Sequence, residues 1–286
     1  MSRPEGPAAF SPSDAAFAVF ELAKRHPGFT VRYCVATAIV MTILGYLGAS
    51  SGLMGKLVEF QALSAGGRPV SQAQMERWME GFDVGAALMF LVVFLIASTI
   101  LTAAALRKTV RDEEKGFAGL QAGRDEFNLL IATLMVGGVF FAVIFVVSLV
   151  SGVLGAFAPS LAILGLVAMA LAYVVLLGRL CQYGVMTIAE GRPGVKASWL
   201  ATRETFWRFI GAHLLWFAVY SVLSLIVVSL LNLLLQTGAP ATDAAAFLRP
   251  NVLIGELLRG AIQGFAALGW VSVGAYAWHQ MRAGGA

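Results

Sequence analysis

From Phe127 to Gly178 the chain carries no charged side chain. One membrane-crossing helix needs about 20 apolar residues, so this run is long enough for two. An ionised side chain at the bilayer centre costs at least ~2.5 kcal/mol, which makes charge-free runs the natural markers of spans. Pro159, in the segment GAFAPS, falls near the middle of the run, where a hairpin turn would sit. Four further runs free of Asp, Glu, Lys and Arg extend from Tyr33 to Gly55, Val84 to Leu106, Phe209 to Thr242 and Gly260 to Met281. Apolar residues make up 59% of the chain and charged residues 13%, against roughly 25% charged in soluble proteins.

The expected fold is therefore an all-α integral membrane protein with six transmembrane helices, at about 31–53, 83–106, 129–154, 160–180, 210–235 and 260–281. Residues 1–286 read as a single polytopic membrane domain. The first ten residues read as a disordered tail, and residues 1–30 as a cytoplasmic tail plus an amphipathic helix. Met1 to Phe29 lacks the pattern of a cleaved signal peptide, so the first span is expected to be retained. Of the 20 Lys and Arg residues, only Lys56, Arg68, Arg77, Arg249 and Arg259 fall on one side of these spans. The other side takes the rest, and the positive-inside rule makes it cytoplasmic, with both termini in.

Three stretches on the basic side read as interfacial amphipathic elbows, each followed by a pair of spans, a threefold pseudo-repeat of hairpins. The first begins with Ser11-Pro12-Ser13-Asp14, a helix start, and carries Ala16, Phe17 and Phe20 on one face before His26-Pro27-Gly28 ends it. The second covers about 107–128. The third covers about 181–209, where Val195, Trp199, Thr202, Phe206 and Phe209 recur on one helical face. On the opposite side, Lys56 to Phe82 reads as a loop holding a short helix, Gln72 to Met79, capped by Ser71. Gly260, Gly264, Ala267 and Gly274 form a small-residue stripe on the sixth span, suited to close helix packing.

No catalytic group is expected. Gly48-Ala49-Ser50-Ser51-Gly52 matches a serine-nucleophile spacing, but His26, His213 and His279 all fall at the cytoplasmic side, a bilayer core of ~30 Å away. Close packing is the better meaning of those small residues. Cys34 and Cys181 read as core residues and not as a disulfide. Asp125-Glu126 reads as paired surface charge, with Arg111, Lys115 and Arg124 nearby. No metal or cofactor site is expected, and the basic residues follow the topology rule and form no nucleic-acid-binding domain.

The densest polar and aromatic stretch is Arg179 to Ile210, and its candidate binding residues are Arg179, Glu190, Arg192, Ser198, Trp199, Thr202, Arg203, Trp207 and Arg208. Glu190-Gly191, Ser198-Trp199-Leu200, Thr202-Arg203, Phe206-Trp207 and Gly211 together resemble the membrane domain found beside some bacterial glycerophosphoryl diester phosphodiesterases, and its stand-alone relatives of unknown function. The loop GFAGLQAGRDEF is similar to a loop of those relatives, with Gln121 and Ala122 where they carry Arg and Leu. The resemblance is strongest over about residues 105–215. It implies the architecture and a place in the lipid envelope, and no activity. The catalytic barrel of those enzymes is a separate soluble domain with no counterpart in this sequence.

The functional expectation is a non-enzymatic, multi-pass protein of the bacterial inner membrane that binds lipid or a membrane-protein partner in envelope maintenance. Anionic lipids suit the basic rim, and a protein partner or a second copy of the chain is the other expectation. The alternative is a transporter or channel for a neutral or amphipathic small molecule, its path lined by Thr42, Thr99, Thr102, Asn232 and Gln263. The orientation is checked directly: a reporter fused after Ala286 should be active only as a cytoplasmic fusion, and activity confined to the far side would overturn it.

Overall fold

The computed structural model describes residues 10–65, 71–235, 241 and 243–283. Residues 1–9 of the expected disordered tail, Arg68, Gln236 and the last three residues fall outside them, whereas Phe10, expected in that tail, is ordered and buried against Phe209. Among the described residues all regular structure is helical: α1 Pro12–Arg25, α2 Pro27–Ser50, α3 Leu53–Ala65, α4 Gln72–Met79, α5 Val84–Arg111, α6 Arg124–Phe157, α7 Pro159–Leu180, α8 Tyr183–Glu190, α9 Val195–Ala201, α10 Phe206–Leu235, α11 Ala244–Phe247 and α12 Pro250–Ala283. A 3-10 turn, Phe117–Gly119, lies between α5 and α6.

Among the described residues six helical stretches are long and apolar enough to cross a membrane: Pro27–Ser50, Val84–Arg111, Phe117–Gly155, Ile163–Glu190, Phe206–Leu235 and Pro250–Ala283. Large side chains along them are left bare. Phe141 is 72% exposed, Leu225 70% and Leu233 75%, a surface that water does not tolerate but hydrocarbon does. The chain is a six-span, all-α membrane protein.

The residues form two compact units. One is built from residues up to Pro27, Thr99–Val219, and Ala267 onward. Its core sets small side chains beside large ones such as Trp216, Phe209, Leu129 and Leu268. Ala103, Ala104 and Ala105 on α5 have no exposure at all, nor do Ala132 on α6 and Ala212 on α10. Glycines bring the helices closer still. Gly269 on α12 lies flat against Trp216, whose ring would stand 2.0 Å from an added Cβ, and Gly274 abuts Val185 and Gln182. The Gln182 amide donates to the Gly274 carbonyl at 3.1 Å. α6 and α7 pair as a hairpin, broken at Ala158, whose extended backbone precedes Pro159.

α1 belongs to this unit. Ser11 accepts the Asp14 N–H and Pro12 opens the helix, as its sequence predicts. The expected apolar face is corrected: Ala15, Ala16 and Val19 are buried, while Phe17 is 44% exposed. Alanines let the helix backbone approach the core, and the aromatic anchors sit at its flanks, Phe10 against Phe209 at 4.8 Å and Phe20 against Trp216 at 6.3 Å.

The second unit is Gly28–Ser98 with Tyr220–Ala266. Here α12 approaches α2 through the small-residue stripe. A Cβ on Gly260 would stand 2.7 Å from the Ala38 Cα, and one on Gly264 3.1 Å from the Cys34 Cα. The stripe is therefore used within the chain at these positions. Ser50 and Ser51 donate back to the carbonyls of Leu47 and Gly48, and Gly48 meets Phe90, so that segment serves packing and helix ending. Cys34 and Cys181 are free.

Several boundaries differ from the sequence expectation. The expected loop after the first span begins with a helix, α3, which pairs with α4: the Trp78 indole donates to the Lys56 carbonyl at 2.9 Å and lies tilted against Phe60, centroids 5.2 Å apart. α4 itself is as predicted, with a reciprocal capping box between Ser71 and Gln74. α12 starts at Pro250, ten residues before the charge-free run. It carries charge because Arg259 is neutralised locally, by Glu256 at 2.5 Å and the Asn232 amide oxygen at 2.7 Å. The third elbow is not one helix: α9 stops at Ala201 and α10 starts at Phe206.

Overpacking a tight helix crossing costs about 1–3 kcal/mol. Gly260→Leu and Gly269→Val should each lower unfolding stability in detergent by that amount. Gly137→Ala on α6, where an added Cβ meets nothing within 4 Å, should leave stability unchanged or slightly raised.

Candidate functional site

The polar chemistry of the first unit is concentrated where its helices end. α5 finishes in Arg107, Lys108 and Arg111, and α6 begins with Arg124, Asp125 and Glu126. The Arg107 guanidinium, 1% exposed, pairs closely with Glu126 and donates to the Gly119 carbonyl at 2.7 Å. Arg111 holds Asp125 at 3.0 Å and donates to the Ile188 carbonyl on α8. Asp125-Glu126 is thus not the surface pair expected. Glu126 is 6% exposed; Arg111 is a partner as expected, and Arg107, also on α5, is the one that was not. The turn that presents Gly119 needs left-handed backbone at Gly116, Ala118 and Gly119, which glycine adopts without strain.

The third elbow is built on backbone staples. Gly191, left-handed at φ 67, ends α8 and donates to the Thr187 carbonyl at 2.9 Å. Gly194 presses onto the Met186–Thr187 backbone, where a Cβ would stand 2.6 Å away, and donates to the Thr187 hydroxyl. Ser198 and Thr202 both donate to the Arg179 carbonyl, at 2.9 and 3.1 Å, closing the end of α7. The buried stripe is therefore Gly194, Ser198, Thr202, Thr205 and Phe209. It keeps Thr202 and Phe209 of the expected face and takes the residue before each of Val195, Trp199 and Phe206, and Trp199 is left 43% exposed.

The Arg179 side chain lies over two rings, its guanidinium carbon 5.6 Å from the Trp199 centroid and 5.5 Å from that of Phe206. Its Nη1 is buried without a hydrogen-bond partner. Of the nine expected residues, the structure thus brings together Arg179, Ser198, Trp199 and Thr202. Glu190 and Arg192 pair with each other at 2.9 Å. Trp207 is 75% exposed. Arg208 donates to the Phe10 carbonyl at 3.3 Å. Arg203 lines a smaller pocket of about 320 Å³ with Trp278 and Arg282.

Sequence reading missed a cleft of about 910 Å³ beside α1. α1, the end of α5 and the end of α12 build it, and Lys108, Asp112, Ser272 and His279 are among its lining. Asp112 follows α5 in left-handed backbone, φ 55, which Asp tolerates better than most residues. Lys108 donates to it at 2.6 Å and His26 stands 3.6 Å away. That hydrogen bond, with the charges of Lys108 and His26, holds the Asp112 carboxyl below the usual carboxylate range. The pair's contribution is therefore present at neutral pH and is lost only as pH falls through the lowered value. His279 contacts the Thr109 carbonyl at 3.0 Å, while His213 is buried against the Phe209 carbonyl at 2.9 Å. Among the described residues no group of three or more His, Cys, Asp or Glu is placed to hold a metal.

No protein-family model, curated protein or solved structure matches this chain.

Breaking the buried network at one partner strands a charge, at a cost of about 3–5 kcal/mol, whereas an apolar pair of similar volume is tolerated. Glu126→Leu alone should destabilise the protein in detergent by that amount. Arg107→Met together with Glu126→Leu should recover most of the loss.

Proposed function

We propose that the chain is a non-enzymatic, multi-pass protein of the bacterial inner membrane, oriented with both termini in the cytoplasm, that binds anionic lipid at the end of α7. The observation that carries this reading is the Arg179 guanidinium. It is framed by Trp199 and Phe206 and has a buried nitrogen without an acceptor. A phosphate oxygen is the acceptor such a group takes best. The exposed Trp199 and Trp207 suit a membrane–water boundary, where indoles collect. The resemblance to the membrane domain of the phosphodiesterase family supports the same placement in the envelope.

The transport reading has less support. Two of its path residues are placed otherwise: Asn232 is engaged by Arg259, and Gln263 is exposed.

The test is mass spectrometry of the lipids that copurify with the chain in native lipid discs. The expected result is about one anionic lipid per chain, enriched roughly fivefold over the bulk membrane, a gain of ~1 kcal/mol from one basic residue at the surface. Arg179→Gln should return the composition to bulk. Bulk composition in the unaltered protein would overturn lipid binding, and a protein partner recovered with it would make the chain an assembly subunit.

A further inference from the structure

The cleft beside α1 lies within the usual size range of ligand sites, about 300–1,000 Å³. Its charges cancel: Lys24, Arg25 and Lys108 face Asp14, Glu21 and Asp112. A simple anion would meet three carboxylates there, and a simple cation three basic groups. A hydrocarbon chain alone would strip water from all six. The opposite charges are also interleaved, Lys108 with Asp112 at 2.6 Å and Lys24 with Glu21 at 2.9 Å. A ligand that carries both signs a few bonds apart matches this pattern.

The remaining walls are mixed in the same sense. Phe17, Phe20, Ala275 and Tyr276 supply apolar surface between the charged groups. Ser272, 4% exposed, lines the cleft with a hydroxyl that has no hydrogen-bond partner. A helical serine commonly donates to a carbonyl in the preceding turn. Ser272 does not, and a buried donor of this kind needs an acceptor from elsewhere.

We propose that this cleft binds the headgroup and ester region of a zwitterionic phospholipid, a phosphodiester bearing an ammonium group. Lys108 and Arg25 supply charge for the phosphate, and Asp112 and Glu21 for the ammonium. Ser272 donates to an ester oxygen, and Phe17 and Phe20 meet the first carbons of the chains. The proposal rests on the membrane reading but not on lipid binding at Arg179, so the two sites can fail separately.

The experiment is native mass spectrometry of the full chain in detergent, titrated with dihexanoyl phosphatidylethanolamine, dihexanoyl phosphatidylglycerol and chain-free phosphoethanolamine. The ethanolamine lipid should bind one per chain, about tenfold tighter than the glycerol lipid, the discrimination expected of one charged hydrogen bond. Ser272→Ala should weaken it about fivefold, one neutral hydrogen bond. Asp112→Asn, at an exposed position, should narrow the preference between headgroups; the two lipids are compared in Arg179→Gln, which removes the proposed anionic-lipid site at the elbow and should leave binding of the ethanolamine lipid as it was. Equal binding of chain-free phosphoethanolamine would overturn the lipid assignment, because the ester and chain contacts would then contribute nothing. Equal affinity for the two lipids, or no effect of Ser272→Ala in a protein of unchanged melting temperature, would overturn the proposal. Loss of binding in Arg179→Gln would overturn it too, by assigning the lipid to the elbow.

Discussion

The first unit depends on a guanidinium that is almost wholly out of water. Arg107 cannot lose its charge, so burial at 1% exposure is possible only because Glu126 and the Gly119 carbonyl surround it. Those partners come from the start of α6 and from the turn before it. Satisfying one cation therefore sets where α5 ends, how the turn folds and where α6 begins. Arg111 extends the same network to α8 through the Ile188 carbonyl. Once these charges are placed, the polar ends of the helices have little freedom left.

Below that network the packing follows the rules of a membrane. Lipid is as apolar as leucine, so helices gain little from hiding large side chains and more from close contact. This explains why alanine and glycine occupy the tightest helix crossings while many of the phenylalanines and leucines along the spans face outward. Ala103 to Ala105, Gly269 and Gly274 make the crossings of the first unit, and Gly260 and Gly264 those of the second. Hydroxyls take the same economical role. Ser198, Thr202 and Thr187 close helix ends with bonds to nearby backbone, where no water is at hand to do so.

Much of the fold was legible in the sequence, and the reason differs between elements. α4 was readable because Ser71 and Gln74 form a local capping box. The pairing of Glu256 with Arg259 was readable because three residues on a helix always bring side chains together. α3 was not, since a helix of mixed polarity outside a span has neither a charge-free run nor a cap to mark it. The face of the third elbow was read correctly at Thr202 and Phe209 and one residue late at Val195, Trp199 and Phe206. Periodicity favoured the aromatic Trp199, whereas the structure buries Ser198, whose hydroxyl has a carbonyl to reach. Four of the nine expected binding residues converge, because only Arg179 and the Ser198–Thr202 turn share the end of α7.

The sequence by itself determined six helical spans in a membrane. Hydrocarbon permits no unpaired backbone and almost no charge, so every span had to be written as an uninterrupted apolar run. It could not determine which polar groups remain without partners. Arg107 and Arg179 look alike as the first cations after their apolar runs, yet the Arg107 guanidinium is held by Glu126 and the Gly119 carbonyl while that of Arg179 lies over two aromatic rings; each keeps one buried nitrogen without an acceptor. The cleft beside α1 likewise joins Asp14, Lys108 and Ser272 from three distant segments. Whether a polar atom is satisfied depends on neighbours that only the tertiary structure supplies, and on that the candidate sites were decided.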